Sequence, residues 1–488
     1  MITRRFSVVF CGLVICLQTA CASPTELPPN VLMIIVDDLN TDLGSYGHPM
    51  VKTPHIDRLA DRGVVFTHAY TQYPQCNQSR ASMLTGLYPD QTRVLTLKEH
   101  FRDYVPEVIT LPQHFKNNDY FTARVGKVFH QGVPNEIGSD GMDDPASWNK
   151  KINPSGIDRE VEDQIESIVP PEKDRRAFGG TLSWLNLAGE EKHTDELGAD
   201  EAIRLLRENH PDNTGKPFFL ALGFYRPHTP FVAPDAYFDL YPLNSIQPIV
   251  VPAGDRENKP VAALADRKYQ ADMTDLQKRK VIQAYYASIS FIDAQLGRVT
   301  EALDTLELSN NTLIVFVSDH GYQLGQHGLW QKRDLFEGTA RTPMIIVAPD
   351  QLQAGLKSAV LTEMIDIYPT LVALSGLDTP ASQLEGRNLV AILNGQEPAR
   401  ELALSQSWSA AYLTRPEWRG KDIMGYSIRT PQFRYTEWGR GEYGSELYDY
   451  REDPAELNNL AGKLDYENIT TQMKLLLDKK LKSIRQSE

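Results

Sequence analysis

One cysteine, Cys76, lies well away from the apolar N-terminal segment that contains the other three cysteines of the chain. It begins the run Cys76-Asn77-Gln78-Ser79-Arg80, after which an apolar helical pattern continues until Gly86 offers a stop. A helix that began at Cys76 would direct its free N–H groups and the positive end of its dipole toward the thiol, an environment suited to anions. On this spacing alone, Cys76 is either an inert core residue or a reactive group.

Acidic residues follow two apolar runs that are typical of buried strands. Asp37 and Asp38 come after the first run, and Asp319 and His320 come after the second. Three carboxylates in one crevice repel one another unless a cation lies between them. Their oxygens favour Ca²⁺ or Mg²⁺, whereas the histidine by itself indicates Zn²⁺ or Mn²⁺. Capping of a following helix is the alternative role for the aspartate pair.

A second set of residues can carry positive charge or protons: Lys127, His130, His228 and Lys332. His228 lies between two prolines, which fix an extended loop. Each of these side chains, taken singly, is more often a solvated lysine or a hydrogen-bonded core histidine. Grouped around a metal and an anion-binding helix start, they would bind a tetrahedral, multiply charged group.

The strands and helices that we expect around these residues follow an α/β pattern. We expect strands at 30–36, 217–222, 312–317 and 344–347, and helices at 56–62, 200–208, 278–306 and 363–375. Strands that alternate with helices indicate a doubly wound, mostly parallel sheet, whose ligands bind beyond the carboxyl ends of the strands. Both acidic strand ends are therefore expected in one crevice.

Beyond this sheet, the polar segment 131–189 has weak periodicity and is interpreted as a long surface excursion, either a binding loop or disordered. A loop near 395–398 separates residues 26–396 from a smaller C-terminal subdomain, 397–488. In that subdomain we expect a hairpin of 425–430 and 433–438, a strand at 446–449 and a closing helix at 466–484.

Composition limits the function. At 488 residues the chain is too large for one ordinary compact unit, and its net charge of −14 argues against a nucleic-acid or anionic-membrane binder. An anionic substrate must therefore be attracted by a local cluster of cations.

The N-terminus predicts export. A positive start at Arg4 and Arg5, an apolar stretch over 6–17 and the sequence Ala20-Cys21-Ala22 are typical of a signal peptide, residues 1–22. The stretch is too short for a membrane helix, so we expect a periplasmic or secreted protein with no membrane span in the mature chain. Lipidation of Cys21 is the alternative.

Several of these motifs together resemble one family, the type I sulfatases, and within it the iduronate-2-sulfatase branch. The motifs are residues 30–38, 76–86, 126–130, 227–228, 318–321 and 325–332 for the family, and 111–116, 126–130 and 424–430 for the branch. The resemblance implies an alkaline-phosphatase-like large domain with a central, mostly parallel sheet flanked by helices. It also implies a small C-terminal α+β subdomain with an antiparallel sheet.

The resemblance further implies that a modifying enzyme, formylglycine-generating or other, oxidises Cys76 to formylglycine, whose hydrated aldehyde supplies the nucleophile. It implies Ca²⁺ held by Asp37, Asp38, Asp319, His320 and residue 76, which resolves the choice of metal left open above.

The remaining roles follow from the same resemblance. Arg80 and Lys127 would stabilise the aldehyde hydrate, and His130 would assist its deprotonation. Lys332 would bind sulfate, and His228 would bind substrate and protonate the leaving oxygen. Tyr322 and His327 would also contact the substrate.

The implied substrate is a sulfated, uronate-containing carbohydrate, either a glycosaminoglycan or an algal polymer such as ulvan. Two departures bear on it: Gln78 stands where the modification signal usually has proline, and Tyr322 stands where the branch tends to have tryptophan. The alternatives are a phosphodiesterase or phosphonate hydrolase of the same superfamily and, because of Gln78, a catalytically silent glycan-binding protein.

Overall fold

The computed structural model describes residues 27–169, 180–349, 353–380, 384–421 and 423–486. The predicted signal peptide and Cys21 lie outside the described residues. Within these ranges, no helix has both the length and the apolar character that a bilayer crossing requires.

Most strands belong to a central eight-stranded sheet or to a four-stranded C-terminal sheet. In chain order the strands are β1 (Asn30–Val36), β2 (Val64–Phe66), β3 (Ala69–Tyr70), β4 (Phe121–Gly126), β5 (Lys150–Ile152), β6 (Glu166–Ser167), β7 (Ser183–Leu187), β8 (Phe218–Phe224), β9 (Phe231–Pro234), β10 (Thr312–Ser318), β11 (Gln323–Leu324), β12 (Trp330–Gln331), β13 (Arg341–Thr342), β14 (Met344–Val347), β15 (Leu356–Ser358), β16 (Thr362–Glu363), β17 (Ala403–Trp408), β18 (Met424–Arg429), β19 (Phe433–Trp438) and β20 (Ser445–Asp449).

The helices flank these sheets. They are α1 (Pro54–Arg62), α2 (Cys76–Thr85), α3 (Pro89–Thr92), α4 (Leu111–Asn117), α5 (Ile157–Glu160), α6 (Thr194–Glu208), α7 (Pro211–Thr214), α8 (Asp235–Phe238), α9 (Asp275–Thr305), α10 (Glu337–Ala340), α11 (Ile367–Leu374), α12 (Val390–Leu393) and α13 (Glu467–Gln486).

The central sheet has the order β15-β2-β14-β10-β1-β8-β4-β5. Only β14 runs against the others, because it pairs antiparallel with both β10 and β2. Every residue of β1 is buried, as expected for a parallel strand with helices on both faces. Its residues 32, 34 and 36 pack with α1, α6 and α9, and residues 31, 33 and 35 pack with α2, α4 and α11. The predicted fold class is confirmed.

The C-terminal sheet is antiparallel throughout, in the order β17-β18-β19-β20. Leu404, Ile428 and Leu447 of this sheet pack with Leu477 and Leu481 of α13. The hairpin, the strand and the helix agree with the predictions, whereas β17 was not predicted. The domain boundary near residue 396 stays a prediction.

The segment 131–189 differs from the expected excursion. Its described part contributes β5 to the edge of the central sheet, and β6 and β7 form a three-stranded sheet with β9. The first two residues of β5, Lys150 and Lys151, are exposed. Short, polar edge strands carry little hydrophobic alternation, so periodicity did not identify them.

Candidate active site

Four neighbouring strands deliver the predicted site residues to one edge of the central sheet. Asp37 follows β1, Asp319 follows β10, and Lys127 follows β4. His228 lies in the loop after β8. Since these strands are mutually parallel, their carboxyl ends meet at the same edge, where doubly wound sheets bind ligands.

Glycine permits a close approach between two of these strands. A Cβ atom at Gly223 of β8 would lie 2.0 Å from the carbonyl oxygen of Lys127, so a side chain could not be accommodated there. The Lys127 amide donates a hydrogen bond to the Gly223 carbonyl at 3.0 Å. This contact holds the Lys127 backbone at the sheet edge.

Cys76 is the first residue of α2, as predicted, and is 2% exposed. Gly86 ends the helix with a left-handed φ of 73°. The Cys76 Sγ lies 3.0 Å from Lys332 Nζ, 3.5 Å from His320 Nε2 and 3.7 Å from Asp38 Oδ1. Burial, together with the Asp37 carboxylate, raises the pKa of the Cys76 thiol well above its usual value.

Arg80, one turn along α2, joins two of the acidic strand ends. Its Nε donates to Asp319 Oδ2 at 2.9 Å, and its Nη2 donates to Asp37 Oδ1 at 3.2 Å. Its Nη1 donates to the carbonyls of Lys127 and Val128. All three nitrogens of the guanidinium are therefore engaged in holding carboxylates and backbone.

The cluster also contains two lysine–carboxylate ion pairs, Lys127 with Asp37 and Lys332 with Asp38. Burial by itself raises the pKa of Asp37, but the Lys127 ammonium, with His228 and Arg80, brings it well below its usual value. At Asp38 the effect of burial is larger than that of the Lys332 ammonium, so the pKa of the Asp38 carboxyl is raised above its usual value.

Two overlapping groups of side chains could hold a metal ion. One comprises Asp37, Asp38, Cys76 and His228, and the other Cys76, Asp319 and His320; within each group the ligand atoms lie within 4.8 Å of one another. The buried Asp38 Oδ2 has no hydrogen-bond partner. An unpaired buried carboxylate oxygen among further oxygen ligands fits a hard divalent cation.

The charges of the cluster also fit a cation. The carboxylates of Asp37, Asp38 and Asp319 are balanced by Arg80, Lys127 and Lys332. A divalent cation would make this balanced set net positive, which suits an anionic ester group.

His130 and His228, the two histidines predicted to carry protons, are buried at the cluster. His228 Nδ1 lies 2.5 Å from the Thr229 carbonyl oxygen, and Nε2 faces Asp38 Oδ2 at 3.9 Å. His130 Nδ1 is buried without a partner. Burial lowers the pKa of both rings, assisted by the charge of Lys332 at His228 and of Lys127 at His130.

Sequence reasoning missed the residue that supports Asp38. Asp38 has a left-handed φ of 64°, unusual for a residue with a side chain. The Tyr285 hydroxyl, on α9, donates to the Asp38 carbonyl at 2.7 Å and accepts from the Asn40 amide at 2.8 Å. No local motif marks Tyr285, because it reaches the site only through the packing of α9.

Tyr322 and His327, the two further residues predicted to contact the substrate, lie in different places. Tyr322 is buried, stacks on Tyr285 with 5.2 Å between ring centroids, and its hydroxyl has no hydrogen-bond partner. His327 instead lies 3.1 Å from Asp255 through Nδ1 and packs on Phe336. The structure thus brings Tyr322 to the cluster, whereas the described contacts of His327 are with a neighbouring structural network.

Gln78 is fully buried within α2. Its Nε2 donates to the Leu95 carbonyl at 2.9 Å and to Gln75 Oε1 at 3.0 Å. The folded protein accommodates this departure from the usual modification signal without distorting the helix start.

Comparisons with known proteins identify the family of this chain. The family described as "Sulfatase" matches residues 29–377, and "N-sulphoglucosamine sulphohydrolase, C-terminal" matches residues 325–485. Iduronate 2-sulfatase of Mus musculus is 33% identical over 537 residues, covering 93% of this chain and 95% of that protein. A sulfatase of Formosa agariphila is 33% identical, covering 92% and 86% of the two chains.

Solved structures agree in fold. Phosphonate monoester hydrolase of Agrobacterium radiobacter superimposes with a TM-score of 0.75 at 26% identity, covering 94% of this chain and 96% of that one. A "2-O GAG sulfatase" superimposes with a TM-score of 0.71 at 23% identity, covering 94% and 93%.

Proposed function

The chain belongs to the sulfatase family and is a sulfuric ester hydrolase, and we propose that its substrate is a sulfated, uronate-containing carbohydrate. Relatives named iduronate 2-sulfatase, about one third identical over most of both chains, support this substrate class. A glycosaminoglycan and an algal polymer such as ulvan both belong to it.

The position of Cys76 is the observation that carries the proposal. Its Sγ lies at the start of α2, within 3.7 Å of Lys332, His320 and Asp38. A nucleophile at residue 76 would therefore stand between a cation, the acidic cluster and the N-terminal end of a helix.

The proposal assigns Ca²⁺ to Asp37, Asp38, Asp319, His320 and residue 76, and formylglycine to position 76. Formylglycine, when formed, supplies the oxygen nucleophile, and Ca²⁺, when bound, supplies positive charge against the sulfate oxygens. The unpaired Asp38 Oδ2 supports the metal assignment.

The other groups act on the ester itself. Lys332 Nζ, 3.0 Å from the Cys76 Sγ, would bind a sulfate oxygen beside the nucleophile. His228 would donate a proton from Nε2 to the leaving sugar oxygen while its Nδ1 is held by the Thr229 carbonyl. Arg80 and Lys127 would hold the carboxylates and stabilise the modified residue, and His130 would assist proton removal from it.

Mass spectrometry of the Cys76 peptide in an active preparation tests the proposal, with sulfate release from defined oligosaccharides as the activity. We expect the aldehyde at position 76 and release of sulfate from uronate-containing substrates. Cys76→Ala should abolish turnover while the protein still folds, as circular dichroism and its melting temperature (Tm) would show. Thiol alone in an active preparation would refute the formylglycine assignment. Release from aryl sulfates only would refute the substrate class.

A phosphonate monoester hydrolase is the second candidate, because one such enzyme shares the fold along most of both chains. Sulfate and phosphonate esters are both tetrahedral at the reacting centre. The ratio of kcat/KM for an aryl sulfate and an aryl phosphonate monoester decides between them. We expect the sulfate to be preferred.

The proposal also includes export. Residues 1–22 would be removed as a signal peptide, or Cys21 would be lipidated, and a modifying enzyme would convert Cys76. Edman sequencing of the mature protein distinguishes these two N-termini, since a lipidated Cys21 blocks the reaction.

A further inference from the structure

Two arginines beside the candidate active site have no acidic partner among the described residues. Arg267 makes one hydrogen bond from its Nη2, to the Lys332 carbonyl at 3.4 Å, and its Nε is buried without a partner. Arg333, next to Lys332, donates from Nη1 to the Tyr412 hydroxyl at 3.2 Å, and its Nε is likewise unpaired.

Arg267 and Arg333 meet at Lys332, because the Lys332 carbonyl accepts the hydrogen bond from Arg267 and Arg333 is the next residue of the chain. Burial and the positive charge of Arg333 lower the pKa of Arg267 to about 10, so Arg267 still carries its charge at neutral pH. Other buried arginines here, such as Arg80 and Arg434, are paired with carboxylates. A pair of partly buried cations without an acid is costly unless an anion binds between them.

Solvent reaches this pair from two sides. Arg267 lines a cavity of about 410 Å³ together with Arg256, Trp330 and Thr414. Arg333 lines a second cavity of about 470 Å³, which also borders Gln75, the residue before Cys76. A substrate bound at Cys76 can therefore extend toward Arg333, and Arg267 lies beside Arg333 through its hydrogen bond to the Lys332 carbonyl.

Tyr322 links the pair to the reacting centre. Its buried hydroxyl is near Gln331, and the charges of Asp38, Lys332 and Arg267 act on it. The Tyr322 hydroxyl is a buried donor that would form a hydrogen bond with a substrate group bound beside Arg267.

We propose that Arg267 and Arg333 bind a second oxyanion of the substrate, a carboxylate or another sulfate, next to the ester that is cleaved. This inference rests on the proposed function and deepens it, because it requires a substrate with at least two anionic groups. Guanidinium groups suit this second oxyanion, because they bind planar carboxylates and tetrahedral sulfates in a bidentate manner.

The test compares Arg267→Gln and Arg333→Gln with wild type on three substrates. These are an aryl sulfate, a monosulfated uronate disaccharide, and a disulfated disaccharide that contains no uronate. We expect KM for the dianionic sugars to rise about 10- to 100-fold, and at least tenfold more than KM for the aryl sulfate. If KM rises only for the uronate disaccharide, the site binds a carboxylate. If KM rises for both disaccharides, the site accepts either a carboxylate or a sulfate.

Lys278→Gln is the matched control, because Lys278 lines the same cavity as Arg267. Removal of this charge should change KM less than either arginine variant. Equal effects of all three variants would show general attraction by positive charge and would overturn the proposal. Equal KM changes on aryl and sugar substrates would overturn it as well.

Tm separates binding from a structural role. Removal of an unpaired, partly buried cation should leave Tm of Arg267→Gln unchanged or higher. A Tm several degrees lower, with equal loss of activity on all substrates, would make Arg267 structural and overturn the proposal. Absence of sulfate release by wild-type protein from every substrate would instead refute the proposed function.

Discussion

Arg80 and Lys332 both carry positive charge at Cys76 but are engaged differently. The Arg80 guanidinium donates to two carboxylates and two backbone carbonyls. The Lys332 ammonium contacts one carboxylate and the Cys76 sulfur. We therefore infer that Arg80 mainly holds the acidic residues in position, whereas Lys332 is free to contact a substrate at residue 76.

The proposed proton donor predicts a dependence on the leaving group. A sugar alcohol is a poor leaving group and needs a proton as the S–O bond breaks, whereas a phenolate needs it much less. His228→Ala should therefore lower kcat/KM by a factor on the order of 10²–10⁴ for a sugar sulfate and far less for an aryl sulfate.

Lys332→Ala is the control for this prediction, because weaker sulfate binding should impair both substrates alike. Steady-state kinetics with the two substrates give the comparison. If His228→Ala slows both equally, the donor assignment is wrong, and His130 becomes the next residue to test.

At the scale of elements, the C-terminal sheet contains a buried acid that has no cation in hydrogen-bond contact among the described residues. Glu446 on β20 accepts from Trp438 Nε1 of β19 at 3.0 Å and from the Tyr448 hydroxyl at 2.8 Å. Burial raises the pKa of Glu446 from 4.5 to about 7. The protonated form is therefore favoured in the folded state.

This shift predicts a pH-dependent stability. The contribution of Glu446 is fully favourable below about pH 4.5, declines as pH rises toward 7, and is lost above it, where the fold must hold a buried carboxylate. Glu446→Gln keeps an oxygen that accepts from Trp438 Nε1 and places an amide that can donate to the Tyr448 hydroxyl oxygen, without a buried charge. It should therefore raise the free energy of unfolding at pH 8 by on the order of 1–3 kcal/mol, and less at pH 5.

Thermal unfolding at the two pH values measures the effect. Glu442 lies nearby and is exposed, so Glu442→Gln should change Tm little at either pH. A Glu446→Gln variant that is equally stabilised or destabilised at pH 5 and pH 8 would contradict the prediction.

For the whole molecule, the acidic cluster joins distant parts of the chain. The Asp38 amide donates to Asp319 Oδ1 at 3.1 Å across 281 positions, and Cys76 contributes from a third element. A cation that binds only this assembled set stabilises the folded state by mass action, by about 2.7 kcal/mol at 100 times Kd.

Removal of metal should therefore lower both activity and Tm, and Ca²⁺ should restore both. Calorimetry and elemental analysis of chelated and reconstituted protein measure this. Asp319→Ala should abolish the Ca²⁺-dependent rise in Tm, whereas Asp212→Ala, at a side chain that is 90% exposed, should retain it. Restoration by Zn²⁺ alone, with two zinc atoms per chain, would contradict the calcium assignment and favour a phosphohydrolase.

Those features of the protein that depend on local pattern can be predicted from its sequence. Continuous apolar runs predicted β1 and β10, because a strand buried on both faces needs no polar alternation. The carboxyl-end rule then placed Asp37 and Asp319 together, and Gly86 marked the end of α2. The sequence motifs are also sufficient to identify the sulfatase family.

Tertiary structure alone decided the contacts made across the packed elements. Tyr285 reaches Asp38 because α9 packs on one face of the sheet, and Arg267 contacts the Lys332 carbonyl from 65 positions away. Packing also places Tyr322 against Tyr285 at the cluster and His327 against Asp255 and Phe336, away from it. Such contacts depend on how distant elements pack, and neither residue spacing nor local hydrophobic period carries that information.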